Sequence, residues 1–171
     1  GSRALSETAT LPGGVAASTS PVLAYLEALR ERLAPLRDGN VATYIPELGR
    51  ADPDSFAMCI AASDGYVYEI GDSRLLFTLQ SISKPFVYGL ALEDRGKPAV
   101  LKRIGVEPTG DAFNEISISP ETGMPRNPLI NAGAIACAGL ISSTTSDPFA
   151  LLLETYSRYA GRPLELDESV Y

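Results

Sequence analysis

The first periodic stretch of the chain has apolar side chains at helical spacing. They lie three or four residues apart, with charged residues between them, at Val22, Leu26, Leu29 and Leu33. This is the pattern of an amphipathic helix packed on a core. Ser20-Pro21 supplies a capping residue and a first-turn proline, and Pro35 ends the pattern. The sequence therefore predicts a helix that begins after Ser20.

Strand-like patterns follow this helix. Residues 56–62 and 66–70 are short apolar runs with Asp64-Gly65 between them, which is a strong signal for a β-hairpin. Residues 75–79 form another apolar run of strand length. We expect a hairpin, with 75–79 as a third strand that leads into the next element.

The pattern beyond residue 80 is helical. Helices are predicted over residues 81–94, 97–104, 131–141 and 148–160, with glycines after the first, second and last. The 131–141 segment is small and apolar on every side, which favours a buried helix. The last helix should turn four side chains inward: Phe149, Leu152, Leu153 and Tyr156. Residues 106–128 are rich in proline and glycine, and a loop of that length is more often functional than idle.

The order of elements is helix, strands, then helices only. It predicts an α+β fold with a few antiparallel strands followed by a helical region. Two or three strands make a poor independent sheet, so further strands are expected beyond residue 171. Residues 1–20 lack periodicity and begin with Gly-Ser, typical of a cloning remnant, and they are predicted to be a mobile arm. Residues 21–171 are predicted to belong to one domain.

Composition removes several classes of function. The charge is 14 − 21 = −7, which gives a nucleic-acid role no electrostatic support. The apolar runs are too short to span a bilayer, and no secretory signal is visible. Cys59 and Cys137 lie in apolar runs and are predicted to be reduced core residues of a cytoplasmic protein.

The chain contains no histidine, and this restricts the chemistry. It excludes a Ser-His-Asp or Cys-His site within these residues and makes a zinc site improbable, so no metal is expected. A nucleophile here needs another base, and lysine is the obvious candidate. Of the 3 lysines, only Lys84 has a serine, Ser81, three positions before it. Residues three apart share a helix face, so the amine can stand beside the hydroxyl.

The pair predicts acyl transfer. Ser81 would attack a carbonyl, and a neutral Lys84, or a group linked to it, would accept the proton. Free backbone N–H groups at the helix start would stabilise the oxyanion. By itself S-x-x-K is a weak motif, equally typical of a capping serine with a solvated lysine. Its place at a strand-to-helix junction and the absence of histidine favour the catalytic interpretation.

Four segments together resemble a known family. They are V-A-T-Y-I-P-E-L at 41–48, Q-S-I-S-K at 80–84, G-V-E-P-T-G at 105–110 and P-R-N-P-L-I-N-A-G-A-I at 125–135. In this order they resemble the serine-dependent glutaminases, which share the β-lactamase and penicillin-binding-protein type of fold. The likeness covers about residues 21–171 and is far more specific than S-x-x-K alone. The S-D-N and K-T-G triplets of β-lactamases do not occur here.

The resemblance implies hydrolysis of L-glutamine to L-glutamate and ammonia through a glutamyl-serine ester. Ser81 matches the family nucleophile and Lys84 its partner. Asn131 matches a residue that binds the amino-acid end of the substrate, and Tyr44 and Gln80 match positions that line the same pocket. No organic cofactor or metal is implied, and a homo-oligomer is expected.

Members of the family continue for roughly as many residues again, and that part holds further substrate-binding and proton-transfer residues. Residues 21–171 are therefore predicted to be the N-terminal part of a glutaminase domain, inactive without the C-terminal remainder of the same protein. Two alternatives stay open: a β-lactamase or peptidase relative that acts on another amide, and an inactive glutamine-binding fragment.

Overall fold

A computed structural model of the chain describes residues 20–112, 115–143 and 145–170. The chain divides into two compact units. The first contains the described residues up to Phe77 together with residues 168–170, and the second covers Thr78–Asp167. The predicted mobile arm lies outside the described residues except for Ser20, which is buried.

The first unit opens with helix α1, Pro21–Leu33, as predicted. Ser20 precedes the helix and Pro21 lies in its first turn, but the Ser20 side chain makes no capping hydrogen bond. Leu26 is the buried residue of the helix. A short 3₁₀ helix, Leu48–Arg50, follows.

The predicted hairpin is confirmed. Strands β1, Ala57–Ala61, and β2, Val67–Gly71, pair antiparallel, with Met58 opposite Ile70. The turn between them contains Gly65 at φ 91°, a left-handed conformation that glycine adopts without steric cost. The turn residues therefore fix the register of the two strands.

The predicted third strand is wrong. Residues 75–79 have no strand partner, and Leu75, Leu76 and Phe77 are exposed. The described residues contain one sheet, and it has two strands. An apolar run becomes a strand only where a neighbouring edge accepts its backbone hydrogen bonds.

The second unit is helical. Its helices are α2, Ser83–Arg95; α3, Lys97–Leu101; α4, Asn131–Ser142; and α5, Pro148–Ala160. Local sequence marks their ends. Gly96 ends α2 with a positive φ of 75°, and the Asp147 carboxylate accepts the Ala150 N–H at 2.9 Å to cap α5. The described part of the loop between α3 and α4 forms an isolated bridge between Ile118 and Pro125.

The core lies in the second unit. Residues of α2, α3, α4 and the turn after α3 form one buried cluster: Val87, Ala91, Val100, Ile104, Cys137 and Ile141. Side chains of α5, including Leu152 and Tyr156, pack against it. The cluster holds the four helices together and packs α2 against α4.

Three packing predictions need correction. Helix α4 is buried along the face of Gly133, Cys137 and Ile141, whereas Ile135 is exposed, so the helix is not buried on every side. Phe149 is also exposed. Both cysteines are free thiols as predicted, but Cys59 is exposed on β1 and only Cys137 is a core residue. An apolar sequence does not reveal which face of a helix or strand packs against the rest of the protein.

Among the described residues, no helix has the length and apolar character needed to cross a membrane.

Candidate active site

Ser81 lies on a 3₁₀ turn, Gln80–Ile82, that directly precedes α2. The sequence placed it in the first turn of the α-helix itself, and this detail was wrong. Lys84 lies three residues later, in the first turn of α2, and residues at this spacing lie on one face of a helical segment. Ser81 and Lys84 line one cavity of about 380 Å³, together with Pro85 and Leu129.

Lys84 connects the beginnings of two helices. It is 8% exposed, and its Nζ donates a hydrogen bond of 2.7 Å to Oδ1 of Asn131, the first residue of α4. A buried ammonium or amine needs such a partner, because burial without one is costly. The two residues are 47 positions apart, so packing of α2 on α4 brings them together.

Gln80 has the one positive φ, 44°, of any non-glycine among the described residues. Its carbonyl oxygen accepts two hydrogen bonds from Ser83, one from the backbone N–H and one of 2.7 Å from Oγ. Residues other than glycine are strained in this conformation. It persists only where contacts with neighbouring residues stabilise it. Ser83 therefore holds the backbone immediately before Ser81.

Tyr156 of α5 supports this turn from the core side. Burial raises the pKa of the Tyr156 hydroxyl, and its side-chain hydrogen bond with Ser83 opposes part of that shift. The turn that presents Ser81 is thus tied to the packed part of the second unit.

The backbone N–H groups next to Ser81 are not all free, contrary to expectation. The Ile82 N–H bonds to the carbonyl oxygen of Leu79 at 3.1 Å, and the Ser83 N–H bonds to that of Gln80. Neither is available to an oxyanion in this arrangement.

The remaining predicted residues, Gln80 and Tyr44, are not among the residues that line the cavity. Gln80 is exposed and is not among the four residues that line the cavity. Tyr44 belongs to the first unit, where its side chain is 71% exposed. The substrate-binding roles of both stay predictions.

Other contributors to the site were missed by sequence reasoning. Ser83 and Tyr156 support the turn at Ser81, and no local pattern indicated that they meet. Leu129, which lines the cavity, lies within a segment quoted for its family likeness but carries no chemical signal of its own.

A larger hollow of about 610 Å³ lies at the end of α5. It is lined by residues such as Leu153, Arg158 and Leu164, and none of the predicted site residues contacts it. In the described ranges no three or more His, Cys, Asp or Glu side chains cluster to hold a metal ion. The cavity at Ser81 is therefore the candidate active site.

Comparison with known proteins identifies the family. The sequence model of the family called Glutaminase matches residues 39–171. A glutaminase of Trichormus variabilis is 47% identical over 153 residues, which are 89% of this chain and 46% of that protein. Glutaminase 1 of Bradyrhizobium diazoefficiens is 49% identical over 155 residues, covering 90% of this chain and 25% of that protein. The chain thus spans about half or less of the length of these relatives.

Solved structures agree in fold. The structure described as Mglu in its glutamate form superposes with a TM-score of 0.80 at 41% identity, covering 89% of this chain and 36% of that one. A probable glutaminase, ybaS, gives a TM-score of 0.81 at 36% identity, covering 87% of this chain and 49% of that one. These matches confirm the predicted α+β fold of the β-lactamase-like type. The chain belongs to the glutaminase family.

Proposed function

We propose that this chain supplies the nucleophile and part of the substrate site of an enzyme that hydrolyses L-glutamine to L-glutamate and ammonia. The observation that carries the proposal is the cavity lined by Ser81 and Lys84, with Lys84 bonded to Asn131. Membership of the glutaminase family supports the substrate, as does the related structure described in its glutamate form.

In the proposed first step, Ser81 Oγ attacks the side-chain carboxamide carbon of glutamine. Lys84, in its neutral form, accepts the Oγ proton and returns it to the departing nitrogen, which leaves as ammonia. This leaves a glutamyl ester on Ser81. Water then adds to the ester with the same base assistance, and the ester C–O bond breaks to release glutamate and restore the serine.

The hydrogen bond from Lys84 supports a defined orientation of the Asn131 amide. A lysine N–H donates, so it selects the amide oxygen, Oδ1, as its partner at 2.7 Å. The Asn131 Nδ2 group then remains a donor for other partners. A donor suits the α-carboxylate of an amino acid, which is the role proposed for Asn131.

Further parts of the proposal rest on family likeness. Tyr44 and Gln80 would line the same substrate pocket in the full-length protein, and residues 21–171 would form the N-terminal part of its glutaminase domain. The proposed enzyme is a cytoplasmic homo-oligomer and needs no cofactor. The chain spans about half the length of such a relative. These statements therefore concern the whole protein.

The test is Ser81→Ala in the full-length protein, with ammonia release from glutamine as the measurement. Removing the nucleophile should lower kcat to near background, while calorimetry still detects glutamine binding. Ser142→Ala is the matched control, since Ser142 is exposed at the end of α4 and bonds only within its helix, to the Gly139 carbonyl.

Two outcomes would overturn the assignment. Near-wild-type ammonia release by Ser81→Ala would remove Ser81 from the role. Hydrolysis of a chromogenic lactam without any turnover of glutamine would favour the β-lactamase-like alternative, and heat of glutamine binding without product would favour a binding protein.

A further inference from the structure

Asn127 lies in the loop just before α4 and uses both ends of its side chain. Its Oδ1 accepts the backbone N–H groups of Leu129 at 3.0 Å and Ile130 at 3.3 Å. Its Nδ2 donates to the carbonyl oxygen of Glu107 at 3.0 Å. One half-buried amide therefore joins the start of α4 to a segment twenty residues earlier.

The backbone around Asn127 also contacts the earlier segment at residues 105–107 and the first turn of α4. The Glu107 N–H bonds to the Arg126 carbonyl at 2.9 Å, and the Gly105 N–H bonds to the Pro125 carbonyl at 2.8 Å. The loop backbone also presses against α4, because a Cβ built on Gly133 would lie 1.9 Å from the Asn127 carbonyl oxygen. The first turn of α4 can take this position only with glycine there.

These contacts determine where two parts of the candidate site lie. Leu129, whose N–H bonds to Asn127, lines the cavity with Ser81 and Lys84. Asn131, the next residue after the bonded Ile130, receives the Lys84 hydrogen bond. The Asn127 side chain makes no contact with the cavity itself, since it is absent from the residues that line it.

We propose that Asn127 is a positioning residue that sets the cavity wall at Leu129 and the amide of Asn131. The inference rests on the proposed function, in which Asn131 binds the amino-acid end of glutamine. Loss of Asn127 then weakens substrate binding and leaves the chemistry at Ser81 largely intact. Its signature is a rise in KM with little change in kcat.

The experiment compares Asn127→Ala and Asn127→Asp in the full-length protein. Alanine removes all three side-chain hydrogen bonds, whereas aspartate keeps an acceptor for the Leu129 and Ile130 N–H groups and loses only the donor to Glu107. We expect alanine to raise KM for glutamine about tenfold with kcat within about threefold, since a hydrogen bond contributes roughly a factor of two to ten. Aspartate should raise KM about threefold or less, because the bonds to the head of α4 remain. Asn40→Ala, on an exposed residue of the first unit, is the control and should leave both constants unchanged.

A crystal structure of Asn127→Ala gives a second measurement that does not depend on turnover. The proposal expects the contact between Lys84 Nζ and Asn131 Oδ1 to lengthen beyond hydrogen-bond distance. It is overturned if that contact stays intact and KM stays within twofold of wild type, or if the loss falls on kcat alone. If the wild-type protein releases no ammonia from glutamine, the proposed function fails, and the Lys84–Asn131 distance in the variant still decides the positioning role.

Discussion

The two units of the chain are specified in different ways. The first unit, up to Phe77, buries few side chains, among them Leu26 and Ile70, and leaves apolar residues such as Leu76 and Phe77 exposed. The second unit, Thr78–Asp167, contains the whole core cluster and the cavity at Ser81. In the first unit the hairpin depends on the residues of its turn, whereas packing between helices positions the functional side chains in the second.

This difference indicates where substitutions should matter. In the first unit, stability should depend on local backbone conformation, as at the hairpin turn. In the second unit, stability should depend on close packing of the buried side chains and on the Cys137 thiol staying un-ionised. Equivalent changes in the two units should therefore have unequal effects.

The largest expected effect is that of Ile104→Ala. Ile104 is fully buried in the core of the second unit, and truncation of such a side chain costs about 2–5 kcal/mol through lost burial and the cavity left behind. Ile60→Ala is the matched change on β1, where the side chain is 43% exposed, and it should cost about 1 kcal/mol or less. Urea unfolding followed by circular dichroism measures both. Equal losses would contradict the contrast between the units.

Much of the fold was predictable because its signals are local. Asp64-Gly65 set the hairpin turn, Gly96 ended α2, and Asp147 capped α5, each through backbone conformation or a hydrogen bond within a few residues. The apolar run at 75–79 failed as a strand because pairing depends on a distant edge. The exposed Ile135 was missed for the same reason, since burial depends on what packs against each face.

The candidate site was only partly predictable. The spacing of Ser81 and Lys84 was enough to suggest that they share a cavity, because they are neighbours in sequence. The left-handed conformation of Gln80 and its support by Ser83 and Tyr156 were not predictable, since nothing in local composition requires them. The bond between Lys84 and Asn131 depends on how α2 packs against α4.

An intermediate effect is expected from pH at the buried Cys137 thiol. Burial raises the pKa of the Cys137 thiol from 9.0 to about 11, so the folded state favours the neutral form. The stabilisation is fully present below pH 9.0 and is lost as the pH rises towards about 11, because the unfolded chain then releases a proton that the folded chain retains. Thermal unfolding of wild type and Cys137→Ala across this window measures the contribution of the thiol. The variant should lose less stability than wild type between these two pH values.

Thiol labelling provides the control for that measurement. Cys59 is exposed on β1, whereas Cys137 is buried in α4. A thiol reagent at neutral pH should modify Cys59 rapidly and Cys137 only when the protein unfolds. If Cys137→Ala keeps the full alkaline loss of stability, or if Cys137 reacts as fast as Cys59, the thiol is not enclosed by the core.

The smallest expected effects come from replacing two glycines. Both have room for a Cβ atom, but their backbone conformations differ. A Cβ at Gly65 or at Gly139 would meet no atom within 4 Å. Gly65 has φ 91° in the hairpin turn, where an L side chain is strained, so Gly65→Ala should destabilise by about 1 kcal/mol. Gly139 lies inside α4, where alanine is the better helix former, so Gly139→Ala should stabilise by about 0.5–1 kcal/mol. Urea unfolding of the two variants beside wild type gives both signs. A gain at Gly65 would show that the turn does not need its left-handed residue, and local conformation would then no longer explain the first unit.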